Sequence, residues 1–233
     1  MNIEPIEAQS LEKVVYLNIK NRIISLEIPP EETLNINSLA ASLNVSITPV
    51  RGALQLLERE DLIRRIHNKG FFVAPMTKLD SEYVYEMRLS LELLALERAI
   101  VNIDKKMLNN LIKKMVELLE LHVKSPTSLP YELDYSLHDL IISSCENPYL
   151  QHTYERLMVN IQRYRNVIRK YSPPDDMNWV RSELEQHIQI GELILRGDLE
   201  SAKELLSRHI KNLISIVSEK LSNIAFPIPI TKE

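Results

Sequence analysis

The sequence predicts a mainly α-helical protein in two parts. Short N-terminal helices give way to a strand hairpin, and a C-terminal all-α bundle of about six helices follows. Three observations predict it. Ile36 to Val73 reads as helix, tight break, helix, strand, polar turn and strand. From Asp80 onward, apolar residues recur at spacings of three and four between capping residues and breaks. Only four glycines occur, Gly52, Gly70, Gly191 and Gly197, and none cluster. Dinucleotide-binding fingerprints, P-loops and nucleophile elbows need clustered glycines and are excluded.

Residues 1–9 read as a loose arm. Leu11 to Leu26 reads as a first helix, with Val14, Val15, Ile19, Ile23 and Leu26 near helical spacing and Pro29-Pro30 as its stop. Asn37 to Leu43 is a short helix with an Asn or Ser cap and Leu39, Ala40 and Leu43 on one face. Asn44-Val45 breaks it. Ser46 then caps a second helix, with Pro49 in its first turn, where a missing N–H costs little. Val50, Leu54 and Leu57 point inward, which leaves Thr48, Arg51 and Gln55 on another face, free to meet base edges and phosphates in a major groove. Leu62-Ile63, the basic turn Arg64 to Gly70 and Phe71-Phe72-Val73 form a wing, from which His67, Lys69 and Gly70 reach the DNA. The predicted N-terminal unit is therefore a winged helix-turn-helix. Such shapes also serve as protein-binding modules, and local charge separates the readings only modestly. Arg51, Arg59, Arg64, Arg65 and Lys69 stand against Glu58, Glu60 and Asp61 in a chain of net charge -4. The order of the motif favours DNA.

After a short linker at Pro75 to Lys78, Asp80 or Ser81 caps a helix to about Asn102, and Asp104 caps another to about Val123. Pro126 breaks the pattern. Further helices run from about Leu129 to Cys145, from Asn147-Pro148 to Lys170, from Asn178 to Arg196, and from Asp198 to Asn223. The expected division is a DNA-binding domain at 1–77, an all-helical metal-, effector-binding and dimerisation domain at 78–224, and an irregular tail at 225–233.

In a chain of 233 residues, 45% hydrophobic, there is material for one large or two small cores. Cys145 is the only cysteine, which rules out an internal disulfide and suits a reducing cytoplasm. Met1 to Pro5 does not open a signal peptide, and no apolar run is long enough for a membrane. An aromatic content of 6% argues against a stacking platform for single strands.

Asp134 and His138 stand at i and i+4, on one helix face. His187 lies ten residues before Gly197 and His209 twelve after it, so a helical hairpin at Gly197-Asp198 brings the two imidazoles to similar heights. Three imidazoles and a carboxylate suit a divalent transition metal inside a bundle. Surface histidines and a helix-start Asp account for the same spacing. Arg88 either meets a ligand carboxylate or forms an exposed i, i+4 pair with Glu92. Arg163, Tyr164 and Arg165 read mainly as the mixed face of an amphipathic helix. Cys145 reads as a buried structural thiol.

The run Val45-Ser46-Ile47-Thr48-Pro49-Val50-Arg51-Gly52-Ala53-Leu54, then Leu57-Glu58 and Lys69-Gly70-Phe71-Phe72-Val73, resembles the GntR family of bacterial transcription regulators over roughly Tyr16 to Pro75. Ile47 departs from the family's base-contacting Arg, which puts its usual operator in doubt. Gly52 departs from its Glu, and Leu26, Glu31 and Asp61 from its common Gly; these read as drift in a glycine-poor chain. Asp134-x-x-x-His138, His187, Ile194 to Asp198 and His209 resemble the FadR-type C-terminal domain called FCD, whose metal-binding members carry an Asp and three His at these positions. Arg88 to Glu92 resembles that domain's opening helix, Leu137 departs from its usual Phe, and six helices resemble the shorter VanR-like branch.

The resemblance implies a homodimer on an inverted-repeat double-stranded operator. It implies zinc, nickel or manganese at the four ligands and a small organic acid bound there as effector. A metal-dependent hydrolase with a DNA-binding appendage is the alternative, although no His-Glu-x-x-His motif supplies a general base.

Overall fold

The computed structural model describes residues 10–124, 131–172 and 178–224, and the side chains of all of these but 122–124, 131–135 and 178. The expected arm, the break at Pro126, the loop at 173–177 and the tail at 225–233 lie outside the described residues.

Helix α1 spans Leu11–Ile24, with Ser10 as its N-cap, and buries Val15, Ile19 and Ile23. Val14 faces out, 47% exposed, because it falls off the stripe that the other three define. Strand β1 is Thr33–Leu34. Helix α2 spans Ile36–Leu43, and the Asn35 side chain accepts from the Ser38 N–H as its cap. Asn44 takes a left-handed φ of 52°, which makes the tight break. Helix α3 spans Ile47–Arg59 and buries Val50, Ala53, Leu54 and Leu57. Ser46 sits at the N-cap position without a side-chain cap bond.

Strands β2 (Ile63–Ile66) and β3 (Gly70–Val73) pair antiparallel, with Ile66 opposite Gly70. The wing turn is therefore shorter than expected, and Arg64 and Arg65 belong to a strand. Unanticipated, β1 pairs with the other side of β3, Thr33 against Phe72 and Leu34 against Phe71, giving the order β1-β3-β2.

Six helices follow: α4 (Lys78–Asn102), α5 (Lys105–Lys124), α6 (Tyr131–Ser144), α7 (Pro148–Tyr171), α8 (Asn178–Arg196) and α9 (Leu199–Asn223). The cap of α4 is Thr77, rather than Asp80 or Ser81. Its Oγ1 accepts from the Asp80 N–H at 3.0 Å while its own hydroxyl donates to Asp80 Oδ2, so Asp80 completes a reciprocal box at N3. Asn147 caps α7, with Pro148 opening the helix, and Asp198 caps α9 after Gly197 turns at φ +76°. Helix α4 packs on α9, α6 and α7, and α5 packs on α8. Two buried apolar clusters result. One lies under the sheet and α1 to α3, and the other fills the bundle and takes in Leu26 and Met76.

Leu26, Glu31 and Asp61 all have left-handed φ, at 59°, 66° and 57°. They are not neutral drift: the backbone keeps the conformation that Gly adopts freely, and these side chains bear the strain. Asp61→Gly should stabilise the fold by about 0.5–1 kcal/mol, read as a higher denaturation midpoint. An unchanged or lower midpoint would show that Asp61 is unstrained.

Candidate DNA interface and candidate metal centre

On α3, Ile47, Thr48, Arg51 and Gln55 are exposed on one face, opposite the buried Val50, Leu54 and Leu57. Ser46 is exposed at the helix start, and His67, Lys69 and Gly70 are exposed at the wing tip. Gly70 needs its freedom, at φ +100°. Arg65 lies over the Phe71 ring at 5.7 Å, and Arg64 pairs with Glu31 at 3.3 Å. A Cβ at Gly52 would lie 2.2 Å from the Glu12 carboxylate of α1, the flexible end of a side chain that would have to swing aside, and a Glu there would add like charge.

The bundle draws His138 from α6, His187 from α8 and His209 from α9 to one point, each 1% exposed. His187 Nε2 lies 3.1 Å from His138 Nε2 and 3.1 Å from His209 Nε2. The α8–α9 hairpin matches the heights of His187 and His209, as their spacing about Gly197 requires. Asp134 lies one helical turn before His138 in α6, and its side chain lies outside the described residues.

The outer ring nitrogens decide what this cluster can do. His138 Nδ1 donates to Glu92 Oε2 at 2.5 Å, and His209 Nδ1 donates to Gln186 Oε1 at 2.9 Å. The Gln186 amide is oriented by its own donation to Ser182 Oγ at 3.0 Å. Both imidazoles therefore turn a bare Nε2 lone pair inward. A proton on His187 Nε2 can point at only one of them. Burial, and then the neighbouring His187 and His138, hold His209 well below the ordinary imidazole range, so it stays neutral. Three ring nitrogens that converge in this way, all within 4.8 Å of one another, are a set that could hold a metal ion.

Glu92 is the residue that sequence reasoning missed. It is fully buried on α4 and accepts from His138, from Arg88 Nε at 2.7 Å and from the Tyr154 hydroxyl at 2.8 Å. Burial raises its carboxyl, but His138 and Arg88 more than offset that and bring it to about 2. The Arg88–Glu92 pair exists, but it is buried rather than exposed, and Arg88 Nη1 has no hydrogen-bond partner among the described residues. Its signal in the sequence was two charged residues on the same stripe as Tyr85, Ala95 and Ala99, which is the face that α4 buries. Arg163, Tyr164 and Arg165 are also buried, contrary to the amphipathic reading. Arg165 pairs with Glu183 at 2.5 Å, and Arg163 Nη2 donates to the Ala74 carbonyl at 2.8 Å. From the same helix, Asn166 donates to the Ile24 carbonyl and Lys170 to the Leu26 carbonyl, both at 2.7 Å. Cys145 is buried in the core as expected.

A winged helix-turn-helix head bonded to a helical bundle with three convergent buried histidines has the architecture of a two-module regulator. The comparisons agree. Residues 11–73 match the profile "Bacterial regulatory proteins, gntR family", and residues 83–212 match the FCD domain. The chain belongs to the gntR family, in the branch that carries an FCD domain.

It is 26% identical over 197 residues to the HTH-type transcriptional regulator YdhC of Bacillus subtilis (strain 168), covering 83% of this chain and 85% of that one. It is 26% identical over 212 residues to the HTH-type transcriptional repressor GlaR of Escherichia coli (strain K12), covering 89% and 96%. The E. coli McbR/YncC structure shares the fold at a TM-score of 0.73, with 22% identity over 91% of this chain and 98% of that one. Both families and these relatives are regulators, so the hydrolase alternative falls: the chain is a DNA-binding transcription regulator, not an enzyme. Among the described residues, no helix is long and apolar enough to cross a membrane.

Proposed function

We propose that the protein is a homodimeric regulator of an inverted-repeat operator, and that a small carboxylate bound at a divalent transition metal modulates its grip on DNA. Residues 1–77 form the reading head, with Ser46, Thr48, Arg51, Gln55, His67, Lys69 and Gly70 meeting the duplex. Residues 78–224 hold the effector and the dimer contact. The observation that carries the metal reading is the inward convergence of three Nε2 atoms, with two Nδ1 atoms locked outward by Glu92 and Gln186. His138, His187 and His209 would hold the ion, with Asp134 from the His138 helix as the acidic ligand. Zinc, nickel and manganese all accept this donor set. The ion would supply positive charge to attract an acid. Arg88 adds a buried Nη1, unpartnered among the described residues, for the acid's second oxygen.

The test is operator binding by fluorescence anisotropy, using full-length protein either zinc-loaded or treated with chelator, against a panel of mono-, di- and tricarboxylates. At least one acid should shift operator affinity several-fold in the loaded protein and have no effect after chelation. An equal shift in both preparations would refute a metal-borne effector.

A further inference from the structure

Helices α5 and α6 leave an open groove of about 730 Å³ between them, within the size range of small-molecule sites. It lies apart from the histidine centre. Helix α5 supplies none of the three imidazoles, and on α6 the buried His138 faces inward while its neighbour Asp139 is exposed in the groove. One wall is the row Lys106, Asn110 and Lys114, at i, i+4 and i+8 of α5, all exposed. The other is Ser136, Asp139 and Ser143, at i, i+3 and i+7 of α6. Met107, Leu111 and Leu140 add apolar lining. Among the described residues, no salt bridge engages Lys106, Lys114 or Asp139. Asp104, the other acidic group in the lining, uses Oδ1 to cap α5, accepting from the Lys106 and Met107 N–H groups at 2.8 and 3.1 Å. The Ser143 hydroxyl donates to the Leu140 carbonyl at 3.2 Å, which leaves its oxygen as an acceptor.

We propose that this groove binds a phosphate monoester that carries free hydroxyls, with the phosphate over Asn110 and the hydroxyls against Asp139 and Ser143. The spacing of the lysines sets where the anion sits. Asn110 lies one turn, about 6 Å, from each of them at 1.5 Å per residue. The four-carbon stem of a lysine reaches about that far, so both ammoniums converge over the Asn110 amide. Three donor groups then meet the three outer oxygens of one tetrahedral dianion. A carboxylate offers two oxygens in a plane and leaves one donor group unmatched. Across the groove, Asp139 and Ser143 present acceptors, which suit hydroxyl groups and disfavour a second anion. The apolar lining covers the carbon skeleton between them. A sugar phosphate and a nucleoside monophosphate share this chemistry.

The experiment is calorimetric titration of the full-length protein with glucose 6-phosphate, AMP, glucose and inorganic phosphate. At least one of the two monoesters should bind, and glucose should not. The tighter monoester identifies the source. Lys106→Ala and Lys114→Ala should each weaken that binding about tenfold, the loss of one charge-assisted bond, with helix content unchanged by circular dichroism. Lys105→Ala and Lys113→Ala remove the same charge from exposed positions of α5 outside the groove lining, and should leave it unchanged. Asp139→Ala should weaken the monoester and not inorganic phosphate. Binding of neither monoester would overturn the site. So would equal losses in Lys105→Ala and Lys106→Ala, which would mark a general attraction to a basic helix.

Discussion

His187→Ala and His209→Ala should each purify with little or no bound metal, where the wild type carries about one ion per chain. The reason is geometric. His187 Nε2 lies 3.1 Å from each of the other two inward nitrogens, and His209 presents a lone pair fixed by Gln186. Losing either leaves at most a pair of nitrogens and the proposed Asp134 carboxylate, a set that would hold a divalent ion far more weakly. Gln186→Leu should have a smaller effect. It removes the acceptor that fixes the His209 tautomer but keeps every proposed ligand, and outer-shell losses of this kind cost about 10–100-fold in metal affinity. Elemental analysis of protein purified without chelator, with a competing chelator titration for Gln186→Leu, reads both effects. Operator binding by His187→Ala should persist, because the reading head has its own core. Equal metal content in the wild type and both histidine variants would end the proposal.

Arg51→Ala should weaken operator binding by about 1–3 kcal/mol, roughly 5- to 150-fold, if Arg51 reads a base. It projects from the exposed face of α3, while Val50 and Leu54 on either side of it in sequence anchor the helix. Lys69→Ala, at the wing tip, should weaken binding evenly across sequences and reduce its salt dependence, as expected of a phosphate contact. Ile47 is 44% exposed beside Thr48 and Arg51, so with α3 as the reading helix it would present an apolar group to the groove, where an Arg would read guanine. Selection from random DNA should return half-sites that favour a thymine methyl there, and Ile47→Arg should restore guanine. Full operator affinity in Arg51→Ala would remove α3 as the reading helix. A guanine-centred half-site selected by the wild type would refute the role of Ile47.

What the sequence made legible was local and periodic. Val50, Leu54 and Leu57 announced a buried helix face by spacing alone, and all are fully buried. Two of the four ligand candidates became legible once Gly197-Asp198 was read as a hairpin, because a rise of 1.5 Å per residue then sets His187 and His209 level. Nonlocal choices stayed hidden. Strand β1 is only Thr33–Leu34, too short to show alternation, and exists because β3 offers it a free edge. Thr77, Asp80 and Ser81 are all capping residues, and sequence alone does not say which one closes the box. Arg88 and Glu92 looked like a surface pair because i, i+4 charge pairs usually are. Only the packing of α4 against α6 and α7 reveals that Glu92 meets His138 and Tyr154.

Three polar bonds from α7 to the head end on main-chain oxygens, those of Ala74, Ile24 and Leu26. Arg163, Asn166 and Lys170 thus grip a backbone trace rather than particular side chains. Two of the carbonyls lie where α1 ends, at the negative pole of its dipole, which a lysine ammonium suits in any sequence. Residues of the head can change, and with them the operator it prefers, without loosening these bonds. Read as engineering, the bundle is a socket. A head from another family member, grafted at the linker with its chain path intact, would meet the same three donors.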